Sequence, residues 1–279
     1  MKWLKIFIIK YLIRYSILKT LYVNFRVLPL KQALHLPIKI GPRVQLKGLR
    51  RGCIKIDPND IFMFKYCLGV VAAGPMFAEK NDWSLLRLQK GSCIHFSGPG
   101  ITRIGSGFSI VNEGDLYIGG DAVFNQKCFI YCKNVVEIKD FCNFGWDCQI
   151  YDSNFHFMYN KEKKSVKKTY NRVLIENNVW LGNHVTVGPS SVLPPYSTVS
   201  SFSLVNRDFS TCGSNGNIFA GTPAKLKCSG YFRIRSREFE EVLFDKFKES
   251  SDEVIAMSDQ FEIDPYLKET NPGEHWTNR

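Results

Sequence analysis

The first 56 residues of this 279-residue chain contain no aspartate or glutamate; Asp57 is the first acid. The same stretch holds 13 lysines and arginines, while the other 223 residues carry 24 basic and 26 acidic side chains. The net charge of +11 therefore belongs to the N-terminal segment, which suits an anionic partner such as lipid headgroups, a phosphorylated substrate or nucleic acid. Nothing resembles a signal peptide, and nine cysteines is an odd number, so a reduced, cytosolic compartment is expected. Cys128 and Cys132 have no second pair at metal-binding spacing, which excludes a cysteine zinc site. No stretch of about 20 uncharged apolar residues exists to span a bilayer. The nearest candidate, residues 1–25, is interrupted by Lys2, Lys5, Lys10, Arg14 and Lys19. The uncharged run 66–78 is too short to span and is expected as buried strand and turn.

What the chain does have is a period of six. Ile104, Ile110 and Ile118, then Phe124, Ile130 and Ile138, then Phe144 and Ile150 form a column of large side chains. After a break the column resumes at Ile175, Leu181, Val187, Leu193, Val199 and Val205. Small or β-branched residues follow most of them by four: Ala122, Cys128, Cys142, Cys148, Val179, Val185, Ser191, Ser197 and Ser203. Helices repeat at 3.6 and strands at 2, so a strict six predicts a repeat array. The physical solution is a triangular parallel β-helix. Each large residue fills the prism, each small one fits a tight corner, and stacking buries what no single hexad could bury. Leu88 and Ile94 begin the step, and Val44–Ile56 reads as an early, irregular coil.

Three parts are expected: a basic amphipathic segment 1–43, a β-helix 44–226 with a loop 151–174, and a helix plus polar tail 227–279. On a helical wheel Trp3, Leu4, Phe7, Tyr11, Leu18, Leu21 and Tyr22 form an apolar stripe beside the five cations. That pattern fits a helix lying on an anionic membrane; the alternative is a helix packed on its own trimer or on the first coil. Residues 235–258 predict an amphipathic helix, with Phe239, Val242, Leu243 and Phe247 on one face, covering the last coil. Lys161–Lys168 reads as a solvated charged loop, and the tail from Asp264 as loosely held.

The pieces NNVWLGNHVTVGPSSVLPP (Asn177–Pro195) and AGTPAK (Ala220–Lys225), in this order on a six-residue repeat, resemble the hexapeptide-repeat acyltransferases. The similarity spans roughly residues 104–225 and is nearest the galactoside acetyltransferases and the O-acetyltransferases of capsule, colanic-acid and lipopolysaccharide synthesis. It implies a left-handed parallel β-helix, a homotrimer with active sites at subunit interfaces, and acetyl-CoA as co-substrate. It also implies a sugar or polysaccharide acceptor, no metal and no nucleic acid. The expected place is cytoplasmic, peripheral on the inner face of the membrane. Direct transfer is expected, since no Ser or Cys is paired with His in the sequence context.

By the resemblance, His156 at the start of the loop is the base. Imidazole, with an ordinary pKa near 6.5, can take a sugar hydroxyl's proton as the oxygen attacks the thioester. Asn125 corresponds to an Asn beside the acceptor hydroxyl and can donate to the tetrahedral oxyanion. Asp152 is the candidate to orient the imidazole, a role a backbone carbonyl can also fill. Trp180 is expected against the pantetheine or adenine, Asn183 and Ser201 along the inter-subunit groove, and Lys225 near a coenzyme phosphate. Ser201 departs from the commoner Ala or Gly. Of the five histidines His35, His95, His156, His184 and His275, none are five apart, unlike the ligands of the γ-type carbonic anhydrases. His184 is read as structural. Acylation of an amino sugar nucleotide and a non-catalytic glycan-binding scaffold are the alternatives.

Overall fold

The structure, a computed structural model, describes residues 15–69, 82–251, 253–258 and 261–267. The six-residue column folds into three parallel sheets, the faces of a prism. Face 1 stacks Ile40, Leu68, Ile104, Phe124, Phe144, Leu181, Val199 and Phe219 in register. Face 2 stacks Leu46, Leu86, Ile110, Ile130, Ile150, Val187 and Val205. Face 3 stacks Ile56, Phe96, Ile118, Ile138, Ile175 and Leu193. All but Leu46 are buried, so the predicted column is the core. The Phe124 and Phe144 rings stack at 4.2 Å and 4°. The first coil starts at Ile38, ahead of the boundary at 44 read from the sequence.

The corners explain the small column. Asp121, Lys127, Phe141, Asp147, Asn178, His184, Ser190, Tyr196 and Phe202 all adopt positive φ, and each precedes a small-column residue. The left-handed residue turns the chain, and the buried Ala, Cys, Val or Ser that follows leaves room for the turn. His184 is one of these corner residues, its ring stacked on Phe202 at 4.6 Å, which matches the structural role read for it. Burial pushes the Cys142 thiol up to about 12, and a hydrogen bond with Cys148, then burial, raises Cys128, while the same bond lowers Cys148.

At the N-terminal end, helix α1 (Ile17–Val27) is capped by Ser16, whose hydroxyl accepts from the Lys19 amide. Its buried face of Thr20, Val23, Asn24 and Val27 covers the first coil. The Asn24 carboxamide donates to Ile38 O at 2.7 Å and accepts from the Ile38 amide at 3.1 Å, closing the open sheet edge. The opposite face leaves Ile17, Leu18, Leu21, Tyr22 and Phe25 exposed, Leu18 to 80%. The helix thus packs on the first coil, one of the two expectations for it; of the stripe read from the sequence Leu18, Leu21 and Tyr22 are exposed, and residues 1–14 lie outside the described residues. Helix α2 (Leu30–Ala33) follows. Of the run 66–78, Tyr66–Leu68 is a face 1 strand and residues from 70 onward lie outside the described residues.

Within the span 235–258 read as a helix, helix α3 forms only over Arg237–Glu249, and it has no buried residue, so it does not cover the last coil. The hairpin of Ile218–Ala220 and the antiparallel Lys225–Cys228 ends face 1 instead, and Phe209 packs on Phe219 at 4.4 Å. Between β-helix and α3 the chain runs back along the corner before face 1. Tyr231 meets Gly216, Phe232 meets Tyr196, Arg233 meets Trp180, and Arg235 meets Phe141 and Asp121. Of the tail from Asp264, the described residues end at Leu267, which is buried beside Trp180. Among the described residues no helix is long and apolar enough to cross a membrane.

Candidate active site

Four of the seven expected site residues, Asn125, Asn183, Ser201 and Lys225, share one edge of the prism, because three hexads make one turn and return the chain to the same edge. Trp180 sits on the outside of face 1, in register between Asn143 and Thr198. The corner leading from face 1 to face 2 stacks Asn125–Gln126 under Gly145–Trp146, Gly182–Asn183 and Ser200–Ser201. Asn183 is tied on both sides: its Oδ1 accepts from the Trp146 amide and its amide donates to Ser201 Oγ, both at 3.0 Å. Gly145 is required here, since a Cβ would lie 2.4 Å from Asn183 Oδ1. Lys225 pairs opposite Ala220 at the top of the same edge and is exposed.

Trp180 is 41% exposed, and one side of its ring is already occupied: the Arg233 guanidinium lies 4.9 Å from the centroid. Arg235 anchors this strap, with its buried side chain 3.7 Å from Asp121 and donating to Phe141 O. With the Asn143 carboxamide oxygen turned toward the strap, it accepts from Arg233 Nη1 at 3.0 Å and from Arg235 Nη1 at 3.2 Å. Nothing periodic marks Arg233 and Arg235 in the sequence, and they were not anticipated. Gln126 and Trp146 were also missed. Gln126 Nε2 is buried without a hydrogen-bond partner, directly after Asn125, which makes it a second amide available to a ligand at this corner. A polar residue at a corner position of the array was the available signal.

His156 lies elsewhere in the chain. The loop leaves face 2 after Gln149–Tyr151 and rejoins face 3 at Val173–Ile175, so it emerges from the next corner. Face 2 separates the two corners within one chain by about four strand residues, roughly 13 Å. The loop therefore leaves the coil one corner away from the edge that holds Asn183 and Ser201. His156 is exposed, its amide donates to Asn154 O, and its imidazole makes no hydrogen bond.

Asp152 corrects a second expectation. It is fully buried, and its carboxylate is committed to three backbone amides: Lys133 at 2.7 Å, Asn134 at 2.7 Å and Val135 at 2.9 Å. It follows Tyr151 as Cys132 follows Tyr131, and Cys132 stacks on Asn112, so it belongs to an inward column at this corner. Burial pushes its carboxyl up and the three amides oppose that, with the net direction upward. It braces the turn of the coil below and does not orient His156. The loop stem is otherwise well tied: the Asn154 amide donates to Thr169 O, the Asn171 amide to Asp152 O, and Arg172 Nε to Glu137 Oε1 at 2.7 Å. Among the described residues no group of His, Cys, Asp and Glu could hold a metal ion.

No protein-family model and no curated protein matches the sequence. Among solved structures, the polySia specific acetyltransferase NeuO superposes with a TM-score of 0.53 at 15% identity, over 77% of this chain and 84% of that one. The polysialic acid O-acetyltransferase OatWY gives a TM-score of 0.42 at 18% identity, over 75% and 94%. A mutant of AntD, an N-acyltransferase from Bacillus cereus in complex with dTDP and Coenzyme A, gives 0.42 at 17%, over 70% and 92%. The first likeness establishes the fold, the left-handed β-helix of the hexapeptide-repeat acetyltransferases.

Proposed function

We propose that this chain is an acetyl-CoA-dependent O-acetyltransferase acting on a sugar hydroxyl in surface-polysaccharide synthesis. The observation that carries the reading is the gathering of Asn125, Asn183, Ser201 and Lys225 on one edge, with Trp180 on the adjoining face 1 and His156 exposed on a firmly stemmed loop at the next corner. NeuO, whose fold the chain shares, is described as an acetyltransferase specific for polySia, which supports acetyl transfer to a glycan.

In the proposed reaction His156 removes the proton of the acceptor hydroxyl as its oxygen attacks the thioester carbonyl. The tetrahedral oxyanion takes a hydrogen bond from the Asn125 carboxamide, with Gln126 Nε2 next to it. The intermediate collapses to the sugar ester, and the leaving thiolate recovers the proton from the imidazolium. Transfer is direct, a reading supported by the burial of Cys128, Cys142 and Cys148 inside the prism, out of reach of a ligand.

Because base and coenzyme edge stand at different corners of one chain, the active site completes itself only when a second copy's loop reaches the first copy's edge. This favours a homotrimer with three shared sites. The acid-free N-terminal segment and the exposed stripe of α1 favour docking on an anionic membrane, where a lipid-linked acceptor would reside. Deleting residues 1–25 is the wrong test, since Thr20, Val23 and Asn24 hold the first coil. Leu18→Glu with Tyr22→Glu should abolish binding to anionic vesicles without lowering stability, and undiminished binding would remove the membrane from the account. For the reaction itself, release of coenzyme A from acetyl-CoA against a panel of hydroxyl and amino sugars distinguishes O-transfer from N-transfer. No release with any acceptor would leave the scaffold reading.

A further inference from the structure

The loop that carries His156 has a property its catalytic role does not require. Past its stem it folds into a hairpin, with Tyr159–Asn160 antiparallel to Ser165–Val166 and the Lys163 amide bonded to Asn160 Oδ1 at 2.7 Å. Every residue from 154 to 168 is exposed. A lone two-stranded hairpin is marginal in water, so this one contributes nothing to the core. It nevertheless presents Phe157, 68% exposed, Met158, 76% exposed, and also Tyr159 and Val166. Between them stand Lys161, Lys163, Lys164, Lys167 and Lys168, with Glu162 as the single acid. An open groove of about 570 Å³ is lined by Met158, Tyr159, Asn160, Lys163, Val166 and Lys167, a size within the range of small-ligand sites.

We propose that this hairpin is the acceptor-recognition surface and that its ligand is a polyanionic glycan, a chain of sugars bearing carboxylates or phosphodiesters. The proposal deepens the acetyl-transfer reading and rests on it only in assigning the bound glycan as acceptor. A charged pyranose offers apolar C–H faces and an anionic substituent on the same ring. Tyr159, Phe157 and Met158 suit the first, and ammonium groups on flexible stems suit the second. Lys163 at the tip and Lys167 just past the returning strand line the groove, with Lys164 and Lys168 beside them in the sequence, so successive residues of a chain meet successive charges. The position suits recognition, because an acceptor held there lies on the loop that bears the base.

A membrane is the other partner such a surface could take, and geometry disfavours it. The loop leaves the fifth coil of face 2, four strand spacings, or about 19 Å, along the stack from the first coil that α1 covers. That exceeds the screening length of roughly 8–10 Å in physiological salt, so a bilayer attracted by the acid-free end does not act on the hairpin.

The test is equilibrium binding of a carboxylated oligosaccharide, its methyl-esterified form, a phosphodiester-linked oligosaccharide and phosphatidylglycerol vesicles. Each is measured with the wild-type chain and with a Lys163→Gln, Lys164→Gln, Lys167→Gln, Lys168→Gln variant. An anionic oligosaccharide should bind about tenfold or more tighter than the neutral one, as several weak exposed ion pairs allow, and the advantage should shrink with added salt. In the variant the ratio should fall to about one, with the melting temperature of the coil stack unchanged. Whichever anion shows the larger ratio identifies the chemistry. Equal binding of charged and neutral forms, or an undiminished ratio in the variant, would overturn the proposal. So would a variant that loses vesicles but keeps the glycan. Binding is read without turnover, so the two readings fail separately. A chain that binds the anionic glycan and never releases coenzyme A sinks only acetyl transfer; one that acetylates neutral sugars regardless of the lysines sinks only this proposal.

Discussion

Asp152→Asn separates a structural from a catalytic carboxylate. The wild-type side chain accepts from the Lys133, Asn134 and Val135 amides at 2.7, 2.7 and 2.9 Å from a fully buried position. Bonds from an amide to a charged group contribute about 1.5–3 kcal/mol each. Against this stands the burial of the charge itself, which pushes the carboxyl's pKa up, so the three bonds do not add in full. A net loss of ~2–4 kcal/mol is expected for Asp152→Ala. Asparagine should recover only part, because its amino group must face an amide that also donates. Denaturant titration gives the stability loss, and hydrogen exchange at residues 133–135 localises it. The folded fraction of either variant should turn over within about threefold of wild type, since His156 does not lean on this carboxylate. A variant of unchanged stability whose turnover falls by about a hundredfold or more would restore Asp152 as the orienting group and refute the reasoning.

Phe144→Ala removes a ring stacked on Phe124 between buried neighbours of the same column and should cost about 3–5 kcal/mol, measured by urea unfolding. Glu137 is held below the ordinary carboxylate value of 4.5, chiefly by the hydrogen bond from Arg172 at the loop's return. Its stabilisation is therefore present above the ordinary value of 4.5 and is lost as pH falls through the lowered pKa, so proteolytic nicking of loop 152–172 should rise as the solution is acidified below 4.5. Glu137→Gln should show that nicking already at neutral pH. Gln126→Ala should leave stability unchanged or raised, since its amino group is an unpaired buried donor, while lowering turnover if the donor serves the oxyanion; stability and rate are measured on one preparation.

The fold was legible because the period of six is a sequence property that survives without any tertiary information: each large residue from Ile104 to Val205 points where the spacing says. The edge holding Asn183 and Ser201 was legible for the same reason, since every third hexad returns to one edge. Asp152 was misread because the spacing of six tracks one inward position per face, whereas the longer strands carry a second, two residues on. Asn112, Cys132 and Asp152 stand at that position after Ile110, Ile130 and Ile150. The left-handed corners at Phe141, His184, Tyr196 and Phe202 carry no glycine to announce them. The strap of Arg233 and Arg235 has no period at all; it is defined by docking onto Trp180, Phe141 and Asp121. Helix α3 was predicted correctly from its amphipathic pattern, but pattern alone does not say which surface an apolar face meets.

The most direct measurement is coenzyme A release from acetyl-CoA with a productive acceptor, compared between the wild-type chain and His156→Ala. General-base assistance is worth ~10²–10⁴ in rate, or about 2.7–5.4 kcal/mol of barrier, and the variant should lose that much in kcat/KM while keeping its melting temperature and its affinity for coenzyme A. A variant that transfers acetyl as fast as wild type would contradict the account at its centre.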